Sequence, residues 1–440
     1  MKTNLKSAKK TTYEGAPASS ITPIQELRRT CLACLLWENH FYENGEDSQK
    51  RVEELCTKVS VDELKNLIIE CFEKQKLRHM PLKLIVELLK KPNNQAKYLI
   101  SRVCTRPDQM TELLSLYWIT GKKPLDKQLQ RGLAHAFRQY DDYQLAKYNR
   151  NNVIKLRDVL FLSHAKPEND RQAKIWNNLI NDKLMPAETW ETKLSAGENK
   201  KEAFSELLAK GKMGTIAILR NLRNMRDQQV NIVSIFENLE KGRPVLPFEY
   251  FRAANAIPEW QNKIATVMLK HLTIDQKLPG TTMVFVDVSS SMDTPLSAKS
   301  DIRLIDAACM FAVLLREWCE MGTTISFSNE YKFIKASRGF ELIDDIKNSQ
   351  CHAGTYLGNA IKNALAFSTN IKIDRIIVIT DEQSADNIPH LDIPKKYFIS
   401  LGNYKNQLKT DGSWVHVTGF SENTIQYIIE LERPVLFSTN

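Results

Sequence analysis

The stretch LPGTTMVFVDVSSSM (278–292) decides the fold of the C-terminal part of the chain. Pro279-Gly280 is a turn signal, and the apolar run that follows suits a strand buried on both faces of a parallel sheet. The run ends on Asp287, and a short polar loop of serines begins there. Working outward, the pattern predicts a helix over 298–320 and a strand at TTISFS (323–328). Further strands are read at RIIVITD (375–381) and KYFISL (396–401), with helices over 355–368 and 422–431. Strands alternating with helices imply a doubly wound, mostly parallel α/β domain over 278–440. In such a sheet, ligands bind at the carboxyl ends of the strands.

The chemistry-bearing residues fall at those ends. Asp287, Ser289 and Ser291 are spaced by two, so a tight loop can aim one carboxylate and two hydroxyls at a single point. These are hard oxygen donors, suited to Mg²⁺ or Mn²⁺. A second loop supplies Thr355 after Gly354, and a third supplies Asp381 directly after an apolar strand. The order DxSxS, Thr, Asp resembles the metal-ion-dependent adhesion site (MIDAS) of von Willebrand factor A (vWFA) domains. That resemblance implies a divalent metal with an open coordination position for a partner's carboxylate or phosphate. The competing reading is a vestigial loop whose polar groups only cap helices. Enzymatic signatures are missing. A haloacid-dehalogenase phosphatase needs a second Asp where Ser289 stands, and no GxSxG, Walker A or HExxH pattern occurs.

Upstream, residues 22–275 read as helices with short breaks. Leu82, Ile85, Val86 and Leu89 mark one apolar helix face, and Ser60 with Glu63 forms a capping box. Helices of about ten to fifteen residues joined by short loops suggest stacked antiparallel pairs. No fixed repeat period stands out, so a degenerate HEAT-like array is expected rather than a regular solenoid. Residues 1–20 are basic and polar and read as a flexible tail, without the apolar core of an export signal. The eight cysteines suggest reduced thiols rather than a disulfide framework, and the Cys31/Cys34 pair lacks the second CxxC of a zinc site. No run is apolar enough to span a bilayer. Together these features lead us to expect a cytoplasmic protein with no membrane association; a monomer is expected as well.

The net charge of +9 is unevenly placed. Residues 278–440 carry 15 Lys+Arg against 19 Asp+Glu, a balance of −4, which leaves +13 on residues 1–277. Such a basic half suits an anionic partner, although lysines used only for solubility would give the same balance.

Several stretches resemble the TROVE family, the Ro ribonucleoproteins. LRRTCLACLLWENHFYENGE (27–46) is similar to the family's opening motif, though its Gly-Tyr-Tyr feature is only loosely kept. KLRHMPLKLIVELLK (76–90), LRDVLFLSHAKPEND (156–170), WETKLSAG (190–197), MGTIAILRNLRNM (213–225) and LPFEYFRAA (246–254) follow in the family's order, with DVSSSM after them. The resemblance implies a ring-like array of HEAT-like helix pairs (21–277) followed by the von Willebrand factor A-type domain (278–440). It also implies binding of Y-like small RNAs on the outer ring surface. Single-stranded 3′ ends of misfolded or precursor RNAs would enter the ring, in RNA quality control or maturation. Carried over residue by residue, it assigns RNA contact to His164 of the Ser-His-x-Lys-Pro motif and to Lys147 before Tyr148. A family arginine falls at Asn151, with Arg150 adjacent to replace it. Lys166 completes a basic cluster suited to phosphates. Aromatics such as Tyr117, Trp118 and Trp190 are expected to pack inside. The reading is therefore a non-catalytic RNA-binding protein whose metal site docks an exoribonuclease or another acidic partner. The alternative is a metal-dependent protein-interaction adaptor that binds no RNA.

Overall fold

The computed structural model describes residues 11–12, 15–19, 21–33, 45–186, 190–195, 199–272, 277–296, 302–402, 404, 407–419 and 423–432. Residues 1–10, Cys34 and the FYEN of 41–44 lie outside that set. The chain divides into two compact units: 53–213 with 225–234, and 1–52 with 214–224 and 235–440.

The first unit is helical. Its helices include Val61–Ile69, His79–Leu89, Ala96–Val103, Pro107–Tyr117, Lys127–Phe137, Asp142–Tyr148, Leu156–Ser163 and Asp170–Ile180. Each packs on its successor or on the next but one, so the apolar face of one pair covers that of the pair after it. Leu82, Ile85 and Val86 are buried as their spacing requires. The Ser60 capping box forms: Glu63 N–H donates to Ser60 Oγ at 3.2 Å, and Ser60 N–H donates to Glu63 Oε2 at 2.8 Å. These bonds satisfy two otherwise orphaned groups at the helix start.

The second unit is built on a sheet. Its strands are β1 (Ala18–Ser19), β2 (Leu278–Asp287), β3 (Cys319–Phe327), β4 (Tyr331–Phe333), β5 (Arg375–Thr380), β6 (Lys395–Ser400), β7 (Gln407–Leu408) and β8 (Val415–Thr418). The main sheet has the order β4-β3-β2-β5-β6-β8, parallel throughout except for the antiparallel edge strand β4. The sequence pattern found four of these strands and missed β1, β4, β7 and β8. All four are short, and they pair at edges or through long-range contacts. On one face, Met283, Phe285, Ile325, Phe327, Val378 and Phe398 pack with the helix Leu357–Phe367. The helix Leu304–Trp318 packs on β2, β3 and β5, so β2 is covered on both sides, as its unbroken apolar run requires.

Part of the expected flexible tail is held. Ala18 and Ser19 pair antiparallel with Leu408 and Gln407, and Ala16 joins the core of the sheet. The polar composition of 1–20 hid this, because the partner strand lies almost 400 residues away. Among the described residues, no helix is long and apolar enough to cross a membrane.

Arg375 is fully buried where the sheet begins. It donates from Nε to Glu432 Oε1 at 2.6 Å and from Nη1 to Thr282 Oγ1 at 2.7 Å, and Lys395 also reaches Glu432 at 2.6 Å. Burial alone would raise the Glu432 carboxyl, but the hydrogen bonds from Arg375 and Lys395 hold it below its usual 4.5. The Arg375→Ala variant should lose about 2–4 kcal/mol in urea unfolding, because it leaves a cavity at a fully buried site and Lys395 as the remaining partner of Glu432. The stability that Glu432 contributes is present above its unfolded value and is lost as pH falls through its lower folded value. A Glu432→Gln variant should therefore start less stable at neutral pH and decline less steeply below about pH 4.5.

Candidate metal centre and nucleic-acid interface

The three loops predicted to meet do meet. Asp287 is the last residue of β2, Thr355 precedes the helix Leu357–Phe367, and Asp381 follows β5. Asp287, Ser289, Ser291, Thr355 and Asp381 are all buried. Asp287 Oδ1 accepts Ser289 N–H at 2.9 Å, and its Oδ2 accepts the Thr380 hydroxyl at 2.5 Å. The hydroxyls of Ser289 and Ser291 lie 3.3 Å apart. Backbone bonds tie the loops together. Ser290 N–H donates to Ala353 O at 2.9 Å, Tyr356 N–H to Ser328 O at 3.0 Å, and Ala385 N–H to Thr355 O at 2.8 Å.

Gly358 explains how closely the second and third loops pack. A Cβ there would meet the Asn387 carbonyl oxygen at 1.9 Å, so only glycine allows the approach. Asp386 uses it to accept the N–H groups of Gly358 and Asn359 at 2.9 and 2.7 Å, capping the helix that follows Thr355.

The donor set fits a divalent cation. Asp381 Oδ2 is buried with no hydrogen-bond partner. Burial first, and the charge of Asp287 next, push the Asp381 carboxyl well above the usual range. Two buried carboxylates held this way are relieved by a cation between them. Among the described residues, no group of three or more His, Cys, Asp or Glu side chains could hold a metal. Any ion at this centre therefore rests on two carboxylates and hydroxyls, the oxygen-rich set that suits Mg²⁺ or Mn²⁺.

Two residues that the sequence reading missed hold the third loop from behind. Glu382 follows Asp381 in the left-handed backbone region, at φ 63°. Its buried carboxylate receives Arg29 of the helix Pro23–Ala33 at 3.2 Å, His416 Nδ1 at 3.1 Å and Leu408 N–H at 3.1 Å. Burial opposes the charge, but Arg29 and His416 outweigh it and hold the carboxyl at about 2. Arg29 also donates to Ser400 Oγ at 2.7 Å and to Gly402 O at 3.2 Å. Two residues along the loop, Ser384 O accepts from Thr12 Oγ1 at 2.7 Å and Ala16 N–H at 3.1 Å. No sequence signal joins Arg29 to Glu382, which lie 353 positions apart.

The residues assigned to RNA lie on the helical unit. His164 ends the helix Leu156–Ser163 in the left-handed region at φ 51°, with its side chain exposed. Lys166 is exposed on the loop that follows, and its carbonyl accepts Arg138 Nε at 3.1 Å. Lys147 is exposed near the end of the helix Asp142–Tyr148, with its ammonium 5.8 Å from the Tyr143 ring centroid. Arg150 is exposed just beyond. Both helices pack on Asp170–Ile180, so the two pairs sit on neighbouring elements. By contrast, Arg78 is paired with Asp108 at 2.8 Å, and His79 with Glu112, so that site is internally neutralised.

The TROVE domain profile matches residues 181–296. The chain carries a TROVE domain. A crystal structure of the Ro (Rsr) protein of Deinococcus radiodurans superposes with a TM-score of 0.59 at 14% identity, covering 94% of this chain and 100% of that chain. At that identity the likeness is one of fold: many helices, then a mostly parallel sheet of the von Willebrand A type. No curated protein matches the chain. In this TROVE-domain chain the matched stretch reaches through Asp287, Ser289 and Ser291, while Lys147, Arg150, His164 and Lys166 lie upstream of it.

Replacing Arg29 by Ala should cost about 3–5 kcal/mol, because Glu382 would remain buried with its main counter-charge gone. Equilibrium denaturation reads that loss. A change within about 0.5 kcal/mol, the range of ordinary surface substitutions, would mean that Arg29 does not anchor the loop.

Proposed function

We propose that this chain is a Ro-like RNA-binding protein. Its helical unit holds Y-like small RNAs and single-stranded 3′ ends of misfolded or precursor RNAs. The observation that carries this reading is the set Lys147, Arg150 and Lys166. All three are exposed, and among the described residues none has a carboxylate partner. Cations left unpaired while others nearby are neutralised suit an external polyanion. The TROVE match and the Ro-like fold support the same reading. His164 stands beside Lys166 with an exposed imidazole, able to stack on a base or hydrogen-bond a phosphate.

In this reading the metal centre is a docking site rather than a reaction centre. Asp287, Ser289, Ser291, Thr355 and Asp381 would hold Mg²⁺ or Mn²⁺. When bound, the ion supplies a Lewis-acidic position for a carboxylate of an acidic protein such as an exoribonuclease. Thr380 fixes the Asp287 carboxylate by its 2.5 Å hydrogen bond. Glu382 and Arg29 keep the Asp381 loop in place. The protein acts as a scaffold in RNA quality control or maturation and works as a cytoplasmic monomer.

Filter binding of a structured small RNA across a salt series tests the RNA reading. Log affinity should fall steeply with log salt. The Lys147→Ala/Lys166→Ala double variant should lower the slope by about 1–2. His164→Asn, chosen because asparagine tolerates the left-handed backbone, should weaken binding with little change in slope. Failure of the wild type to retain RNA at low salt would leave the adaptor reading in its place. Asp287→Ala should abolish Mn²⁺ binding, read by electron paramagnetic resonance, and leave RNA affinity within a factor of about two.

A further inference from the structure

Trp118 is where the structure departs most usefully from the packing expected of the aromatics. Tyr117 is buried, with its hydroxyl donating to Pro124 O at 3.1 Å, as that expectation requires. Trp118 is only half-buried, and its indole N–H donates to Lys123 O at 2.8 Å. The polar edge of the ring is therefore satisfied and its orientation fixed, while the ring lines an open groove of about 540 Å³. That volume falls in the range of about 300–1,000 Å³ usual for ligand pockets. Val153, Ile154 and Phe161 line the groove with it, and both Val153 and Phe161 are well exposed. An apolar floor of this kind, left open to water, is a feature of binding surfaces.

The rim carries the charge that selects the occupant. Lys122 and Lys123 line the groove, and among the described residues neither has a carboxylate partner. The Lys122 ammonium lies over the Trp118 ring, 5.8 Å from its centroid, where a stacking base would displace it, and the Lys123 ammonium lies over the Tyr117 ring at 4.3 Å. The one acidic lining residue, Asp158, is engaged as a helix cap, accepting Lys155 N–H at 2.8 Å. A preset aromatic face and apolar walls beside two lysines match an unstacked base with phosphates on either side. An acidic peptide would use the lysines but not the flat aromatic floor.

We propose that the groove between Trp118 and Phe161 is a stacking platform for one unpaired nucleobase of single-stranded RNA, with Lys122 and Lys123 on the flanking phosphates. This rests on the RNA-binding reading above and adds a second contact region that recognises unpaired bases. The site is sequence-tolerant, since every base has a stacking face.

The test uses the full chain with three probes: a 15-nucleotide oligouridylate, an abasic oligomer of the same length and charge, and a structured hairpin RNA. Wild-type protein should bind the oligouridylate roughly tenfold more tightly than the abasic oligomer. Trp118→Ala should remove that preference, while Trp118→Phe keeps most of it. Lys122→Glu/Lys123→Glu should weaken both oligomers. Hairpin binding should survive in the Trp118 variants, which also reports that the helical unit is folded. An equal loss on the abasic oligomer, or no loss with Trp118→Ala while the hairpin still binds, overturns the platform and leaves the RNA reading standing. Failure of the wild type to bind any of the three overturns both.

Discussion

The Arg29–Glu382 ion pair is the interaction on which the architecture around Asp287 and Asp381 depends. It joins an N-terminal helix to the residue after Asp381, with both side chains almost fully out of water. Two such charges are costly to bury unless every lone pair and proton is met. Here Ser400, Gly402, Leu408 and His416 meet them. The same geometry keeps Glu382 in a left-handed conformation that a non-glycine residue seldom adopts, so the network holds local strain as well as charge. The loop carrying Asp381 is thereby held through the residue that follows it.

That arrangement accounts for an otherwise unfavourable feature. Asp287 and Asp381 are both buried and repel one another; Gln383 N–H and the Ser291 hydroxyl reach the Asp381 carboxyl, but its Oδ2 has no well-formed hydrogen bond. Protein folds tolerate a buried carboxylate oxygen without a full hydrogen bond only where something else compensates for it. In this centre the sheet holds Asp287, the Asp386-capped helix holds Thr355, and the Arg29 network holds Asp381. Three separately anchored loops bring these oxygens together.

The helical unit manages its charge differently. Its internal ion pairs include Lys83 with Glu53, which joins two helices, and Lys83 with Glu87 along one helix. Lys122, Lys123, Lys147 and Lys166 are exposed and are left out of that pairing. Salt-screened, individually weak contacts of this kind become effective in numbers along a polyanion. The division between paired and unpaired cations is a property of the folded surface and cannot be read from the +13 balance alone.

Much was legible in the chain itself. The continuous apolar run before Asp287 required a strand covered on both faces, and strand–helix alternation required a doubly wound sheet, because hydrophobic periodicity is a local signal. The spacing of Asp287, Ser289 and Ser291 was equally local, and Asp381 followed from its place at a strand end, whereas Thr355 lies between two helices rather than after a strand. What remained hidden was set by distance along the chain. The pairing of Ala18 with Leu408, the reach of Arg29 to Glu382 and the close approach at Gly358 each join segments with no shared pattern. Trp118 shows the same limit from the other direction: helical spacing placed it with the core, and only the packing of its neighbours left its ring facing an open groove. Sequence determined the elements and the candidate ligands. Tertiary structure alone decided which charges are buried together and which are left to meet a partner, because burial and pairing depend on contacts between residues far apart in the chain.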